Sequence, residues 1–419
     1  MNTRTLSSEK QQIIQFIDDQ QEKLIVFLKE LVGIPSDNPP GDCQEIAEYL
    51  YRCLEEFEFE NVSIHQVEGE KVKAVCMTKA ANVVAFQSFG NNEGPEITLN
   101  SHGDVVPPGL GWTQDPYGGN IVDGKLYGRG AAVSKSDIAS FIFAALALRQ
   151  LKDKLSGKIS LAFTFDEESG GEIGPKWLLE NGFIHPDLAI CPGFTYALIN
   201  AHNGCLHLEV KLKGKSAHAA EPQYGHDALE AMNGILSALY AYRKGFSKVK
   251  SAVPGIDSPS LVVGLISGGI NTNVVPDTAT IRLDRRLIPE EDPAVGEAEI
   301  RGIITEVLKN YPGVEAEITQ VLLARSFGPI PVDSPLIQSI AANWTEMMGG
   351  GELPVGGSPL YTDARHFYEA GIPVVLFGAG PRTLAEANGH RADENVKIDD
   401  LIKSTKIVAL ALYDLLKQK

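Results

Sequence analysis

Long apolar runs are missing from this chain of 419 residues. No segment is long and apolar enough to span a bilayer, and the opening stretch MNTRTLSSEKQQIIQFIDDQQ lacks the apolar centre of a secretory signal. Cysteine is scarce: Cys43, Cys53, Cys76, Cys191 and Cys205 are odd in number and show no CxxC spacing. That pattern argues against a disulfide framework and for reduced, mostly buried thiols in a reducing compartment. Cations are also in deficit, with 37 Lys and Arg against 54 Asp and Glu, a formal net charge of -17. Such a balance argues against nucleic acid or an anionic membrane as partner. Repeats and low-complexity tracts are absent as well. The expectation from these absences is a soluble cytoplasmic protein.

What is present is ordinary globular composition, 43% hydrophobic and 22% charged, in a chain too long for one small core. Ser7 or Ser8 is placed to cap a helix through QQIIQFIDDQQEKLIVFLKELV, and CQEIAEYLYRCLEEF reads as a second, amphipathic one. Short apolar segments follow (VSIHQV, VVAFQSF, EITLNSH). The helical ASFIFAALALRQL, the strand-like ISLAFTF, the helical GPKWLLENG and the strand-like LAICPG come next. PVVLFGAG and the helical IDDLIKSTKIVALALYDLL lie near the end. Strands alternating with helices predict an α/β domain whose sheet is mostly parallel and flanked by helices.

From about residue 205 to 321 the pattern changes. LHLEVKLKG alternates strictly, with Leu206, Leu208, Val210 and Leu212 on one face, as in a strand with one wet side. A helix, two strands, a helix and a strand follow, which is the β-α-β-β-α-β order of a ferredoxin-like α+β unit. The predicted organisation is a catalytic domain in two parts, 1–204 and 322–419, with an inserted lid or dimerisation domain at 205–321.

Parallel sheets present ligands at the carboxyl ends of their strands. EITLNSHGD ends in His102 and Asp104, ISLAFTFDEE ends in Asp166, Glu167 and Glu168, and the loop after PVVLFGAG carries His390. Each signal is weak singly, since most histidines and acidic runs are structural. Together they put imidazole and carboxylate donors at three strand ends, a set that suits zinc or a similar divalent cation. Asp104 is spaced to hold the His102 ring.

The ordered series SHGDVVPPG, DGKLYGRGAA, TFDEESGG, GKSAHAAEP, GGINTNVVP, DRRLIPEE, TDAR and GHRADENV covers nearly the whole chain. It resembles the co-catalytic metallopeptidase family of succinyl-diaminopimelate desuccinylase, acetylornithine deacetylase, aminoacylase and glutamate carboxypeptidase. The resemblance implies a metal-dependent hydrolase that cleaves an amide bond in a small carboxylate-bearing substrate, an N-acyl amino acid or a short peptide. It implies that Glu167 is the general base assisting attack of metal-bound water, with Asp104 orienting His102. It further implies that His102, Glu168 and His390 are metal ligands and that His218 reaches a partner subunit's site to stabilise the oxyanion. Asn273 and Arg286 would bind the polar or carboxylate end of the substrate, and a homodimer is expected. Zinc is the expected metal, with manganese or cobalt as alternatives. Asp166 is assigned a structural role, and His202 either touches substrate or makes a structural hydrogen bond.

Two positions depart from the family pattern. Val133 stands where an aspartate would bridge two ions, and Gly193 stands where an acid is aligned in CPGFT. Asp137 is a candidate substitute ligand, although one helical turn displaces it by about 5 Å. Cys191 is another, as a soft thiolate. A single ion on His102, Glu168 and His390 is a third account, since His₂Glu is a catalytic zinc set. The alternative to hydrolysis is a metal-depleted dimer that binds a small ligand. One or two ions per chain therefore remain open at this stage.

Overall fold

A computed structural model describes residues 6–91 and 93–418. The chain divides into two compact units. The first comprises the described residues of Met1–Asn200, Ile330–Val355 and Thr362–Lys419; the second comprises Ala201–Pro329 and Gly356–Tyr361.

In the first unit, α1 (Ser8–Val32) and α2 (Gln44–Glu56) precede β1 (Glu60–Gln66), and the short α3 (Gly69–Ala74) leads into β2 (Ala81–Phe89). Ser7 caps α1 as expected, its hydroxyl accepting the Lys10 N–H. Next come β3 (Glu96–His102), a small hairpin of β4 (Asn120–Val122) and β5 (Lys125–Tyr127), helix α4 (Lys135–Leu148) and β6 (Gly157–Thr164). After α5 (Pro175–Glu180) come β7 (Leu188–Cys191) and β8 (Leu198–His202).

The second unit supplies β9 (Gly204–Lys213), α6 (Ala228–Arg243), β10 (Ser260–Gly268), β11 (Thr278–Leu287), α7 (Pro293–Leu308) and β12 (Glu315–Ala324). The chain closes with α8 (Pro335–Met347), β13 (Val355–Ser358), α9 (Ala364–Glu369), β14 (Val374–Leu376), β15 (Asn395–Lys397) and α10 (Ile398–Leu416).

The main sheet runs β1-β2-β6-β3-β7-β14-β8-β13. Its centre, β6-β3-β7-β14, is parallel, with antiparallel pairs outside it. The expected parallel sheet flanked by helices is therefore present. Every residue of β3 is buried, as a parallel strand covered on both faces requires. Helix α4, mostly apolar after its first turn, is buried on nearly all sides and packs against α1, α10 and β3. Each large side chain it buries contributes roughly 1.5–3 kcal/mol relative to exposure. The small sheet β15-β5-β4 was not foreseen, because three-residue strands carry no readable periodicity.

The second unit is the ferredoxin-like unit expected from the pattern, with sheet order β10-β11-β9-β12, antiparallel throughout. Leu206, Leu208, Val210 and Leu212 are buried in its core with Met232 and Ile235 of α6, Ile300 and Ile304 of α7, and Ile281 and Leu283 of β11. The alternate residues of β9 and β11 face away from that core.

Candidate active site

Strands β3 and β6 are parallel neighbours with His102 opposite Thr164, so the chain leaves both strands side by side. One leads into Gly103-Asp104 and the other into Asp166 and a single 3₁₀ turn, Glu167–Ser169. The buried Asp104 carboxylate ties the two together. Its Oδ1 accepts the Glu167 N–H at 3.3 Å, and its Oδ2 accepts the Glu168 N–H at 3.1 Å. Asn38 donates to Asp104 Oδ2 at 3.0 Å and to Ser169 Oγ at 2.8 Å, bracing the turn from the other side.

Asp104 also lies beside the His102 ring: Nδ1 is 3.1 Å from the Asp104 carbonyl oxygen and 3.4 Å from its carboxylate. With Nδ1 so engaged, Nε2 is the ring nitrogen left to ligate. Ligand-type atoms of His102, Glu167 and Glu168 lie within 4.8 Å of one another. His390 adopts a left-handed backbone (φ 61°) on the loop after β14 and brings Nε2 to 3.3 Å from Glu168 Oε1. That buried oxygen has no well-formed hydrogen bond.

The electrostatics are those of crowded carboxylates. Two like charges 4 Å apart repel by about 4 kcal/mol at an effective dielectric near 20. Burial pushes the Glu167 carboxyl up to about 7; His102 partly opposes this, while Glu168 and Asp104 add to it. Asp166 is pushed up to about 7 by burial and by Asp104, and its Oδ2 accepts the Ile173 N–H at 2.7 Å. Burial disfavours the His102 imidazolium, yet Glu167, Asp104 and Glu168 outweigh it and raise the ring well above its ordinary value. His390 is raised too, chiefly by the Glu168 carboxylate beside it. A divalent cation among these groups would relieve the repulsion. The donor set, imidazole and carboxylate around a buried oxygen that has no well-formed hydrogen bond, fits one.

Asp363, at the start of α9 in TDAR, escaped the sequence reading. Burial, then Glu167 and Asp166, raise its carboxyl well above the usual range, and its Oδ2 is buried without a hydrogen-bond partner. An acid just before a helix ordinarily reads as a cap, but this side chain makes no capping bond. Gly171 follows the acidic turn with φ at 70°, and a Cβ there would lie 2.0 Å from Asp363 Oδ1, so only glycine fits. Glu394 was also missed: buried, it pairs with Arg129 and accepts the N–H groups of Ala132 and Val133 at 3.0 and 3.1 Å.

The departures from the family pattern have visible surroundings. A Cβ on Gly389, next to His390, would touch the Val133 side chain at 3.6 Å, so the valine lies against the His390 loop. A Cβ on Gly193 would fall 2.5 Å from the Leu376 and Phe377 backbone, leaving no space for an acid there. Asp137 lies outside the His102–Glu167–Glu168 group. Burial pushes its carboxyl up to about 7, and Oδ1 accepts the Ala379 N–H at 2.8 Å in the space a Gly378 side chain would need. Cys191 is buried, directs its S–H to Asn100 at 3.8 Å and is pushed well above the usual thiol range by burial.

The remaining predicted residues belong to the second unit. His218 is exposed; its Nδ1 accepts the Ala220 N–H at 3.1 Å, making Nε2 the donating nitrogen of the neutral ring. Exposed Asn273 lies in the turn just before Val274, the bridge partner of His218, its carbonyl accepting the Ala219 N–H at 3.0 Å. Arg286 is half-buried and bonded to Asp284 through Nε, at 3.0 Å to Oδ1 and 3.1 Å to Oδ2, and through a terminal guanidinium nitrogen at 3.0 Å to Oδ2. His202 is buried, with Nδ1 2.9 Å from the Asn203 carbonyl oxygen and its ring edge-on to Phe327.

The first unit thus combines an α/β sheet with a strand-end cluster of His and Glu of the kind that metal-dependent hydrolases use. Comparison with known proteins makes this specific: residues 98–414 match the model of peptidase family M20/M25/M40, and the chain belongs to that family. It is 31% identical over 344 residues to a succinyl-diaminopimelate desuccinylase of Gluconacetobacter diazotrophicus, covering 79% of this chain and 84% of that protein. The fold resembles human carnosine dipeptidase 1 (TM-score 0.73, 19% identity, 98% and 99% of the two chains). It also resembles Bacillus subtilis YXEP, described as a dinuclear metal-binding peptidase (TM-score 0.67, 19% identity, 95% and 99% of the two chains). The protein is a metallo-amidohydrolase of the peptidase and deacylase type. Among the described residues no helix is long and apolar enough to cross a membrane.

Proposed function

We propose that this chain hydrolyses the amide bond of a small carboxylate-bearing substrate, an N-acyl amino acid or short peptide, with Glu167 as the proton carrier. The observation that carries the reading is the cluster itself: His102, Glu167 and Glu168 within 4.8 Å, with His390 on the Glu168 carboxylate. His102, Glu168 and His390 hold one divalent cation, for which zinc is the best chemical match. When bound, the cation supplies Lewis acidity and makes nearby water easier to deprotonate. Glu167 accepts the proton of the attacking water and delivers it to the leaving nitrogen. Its burial favours the protonated carboxyl, the direction that proton delivery to the leaving nitrogen needs. Asp104 fixes the His102 ring and both glutamate N–H groups, so the base and ligands share one rigid turn.

Arg286 takes the substrate carboxylate, for which a planar guanidinium fork is suited, and Asn273 takes a neighbouring polar group. His218, with Nε2 as donor, stabilises the oxyanion in a partner's site. The dimer this requires is supported by Val262, Leu265, Ile266 and Ile270, all more than half exposed on or beside the edge strand β10. Five cysteines, none of them in a disulfide among the described residues, support a reducing compartment such as the cytoplasm.

Replacing Glu167 by Gln tests the assignment. The amide is nearly isosteric but cannot accept the proton, so kcat on N-acyl amino acids falls by about 10²–10⁴ while bound metal is retained. Full activity in the variant would remove Glu167 from the chemistry.

A further inference from the structure

We propose that Cys205, His207 and Asp284 form a zinc-binding site on the second unit's four-stranded sheet, on the face opposite its helices. The sheet's register assembles the three residues. Cys205 and His207 are two apart on β9, so they share a face, and Asp284 of β11 lies directly opposite His207. Leu206 and Leu208, pointing the other way, fill the core beneath.

The distances are those of a ligand set. Cys205 Sγ is 3.2 Å from His207 Nε2 and 3.6 Å from Asp284 Oδ1, and His207 Nε2 is 3.4 Å from Asp284 Oδ2. Zinc bonds of about 2.3 Å to sulfur and about 2.0–2.1 Å to nitrogen and oxygen place tetrahedral ligands about 3.3–3.6 Å apart. Little movement is therefore needed to close around an ion. A Cys-His-Asp relay would use opposite nitrogens of the imidazole, one for the thiol and one for the carboxylate. Here both partners converge on Nε2, which is the arrangement of donors around a common point.

The chemistry is also matched. Thiolate, imidazole and carboxylate are the zinc donors, and the two formal negative charges offset the dication. Asp284 is already ionised: burial opposes its charge, but His207 and Arg286 outweigh burial and hold its carboxyl down to about 2. Each carboxylate oxygen has two lone pairs, so Asp284 keeps Arg286 while ligating. Binding breaks the Cys205 S–H bond, forms the zinc–sulfur bond and releases one proton to solvent, with no change of oxidation state. The side chains of His207 and Asp284 are 36% and 32% exposed, which admits water as the fourth ligand.

Cobalt(II), a spectroscopic substitute for zinc, tests the site in the full chain. A thiolate ligand gives a near-ultraviolet sulfur-to-cobalt charge-transfer band; the His102, Glu167, Glu168 and His390 set contains no sulfur and gives none. The band should appear in wild type and in Glu168→Gln, disappear on zinc addition, and be lost in Cys205→Ala and Cys205→Ser. His207→Gln and Asp284→Asn, with unchanged circular dichroism, should raise the cobalt midpoint about tenfold or more. Absence of the band in folded wild type, or its survival in Cys205→Ala, would show that the three groups are only hydrogen-bonded and overturn the proposal.

Discussion

At the scale of single residues, the proposed one-ion site is tested most directly at Val133. The valine side chain carries no donor atom, its N–H is held by Glu394 and its side chain lies against the loop of His390. Installing a carboxylate there should create the missing bridge. Val133→Asp, made in a Cys205→Ala background to exclude the second-unit site, is predicted to raise bound zinc by about one ion per chain. An unchanged count by elemental analysis would mean that the valine is not what limits occupancy. His102, Glu167, Glu168 and His390 were legible in the sequence because each follows an apolar strand or a Gly-rich motif in a fixed order. Asp363, Glu394 and Asn38 were not. Their importance arises from burial against elements far away in the chain, which no local spacing encodes. Asp363 has a further disguise, since an acid before a helix is ordinary.

At the scale of elements, alternation in β9 and β11 was legible because one face is apolar and the other wet, and the register then follows from the hairpin-like pairing. The edge strand β10 breaks that pattern. It presents Leu265 and Ile266 at 62% and 57% exposure, where edge strands usually carry charge. Past an irregularity in pairing between Val263 and Leu265 the register is regular again, with Leu265 opposite Arg282 and Ile266 opposite Ile281, so the two side chains point to opposite faces and both are exposed, which alternation alone does not foretell. If the proposed dimer forms through this strand, wild type should scatter light as a dimer and the double substitution Leu265→Lys, Ile266→Lys as a monomer, with little change in melting temperature because neither side chain is in the core. A variant that remains dimeric would move the interface elsewhere. Short elements such as β4, β5, β14 and α3 were the least legible, since they exist by pairing or packing rather than by propensity.

At the scale of the whole molecule, the chain's acidity and its chemistry meet in one place. The strand ends of the main sheet collect Asp104, Asp166, Glu167, Glu168 and Asp363, where burial, reinforced by mutual repulsion, raises Asp166, Glu167 and Asp363 far above ordinary carboxylates. The family membership and the parallel sheet explain why these groups converge, and a cation explains how they coexist. The most direct measurement is hydrolysis of an N-acyl amino acid panel by the Cys205→Ala chain before chelation, after it, and after zinc is restored. The account predicts loss of essentially all turnover on chelation and its return with about one zinc per chain. Turnover that persists in verifiably metal-free protein would contradict it.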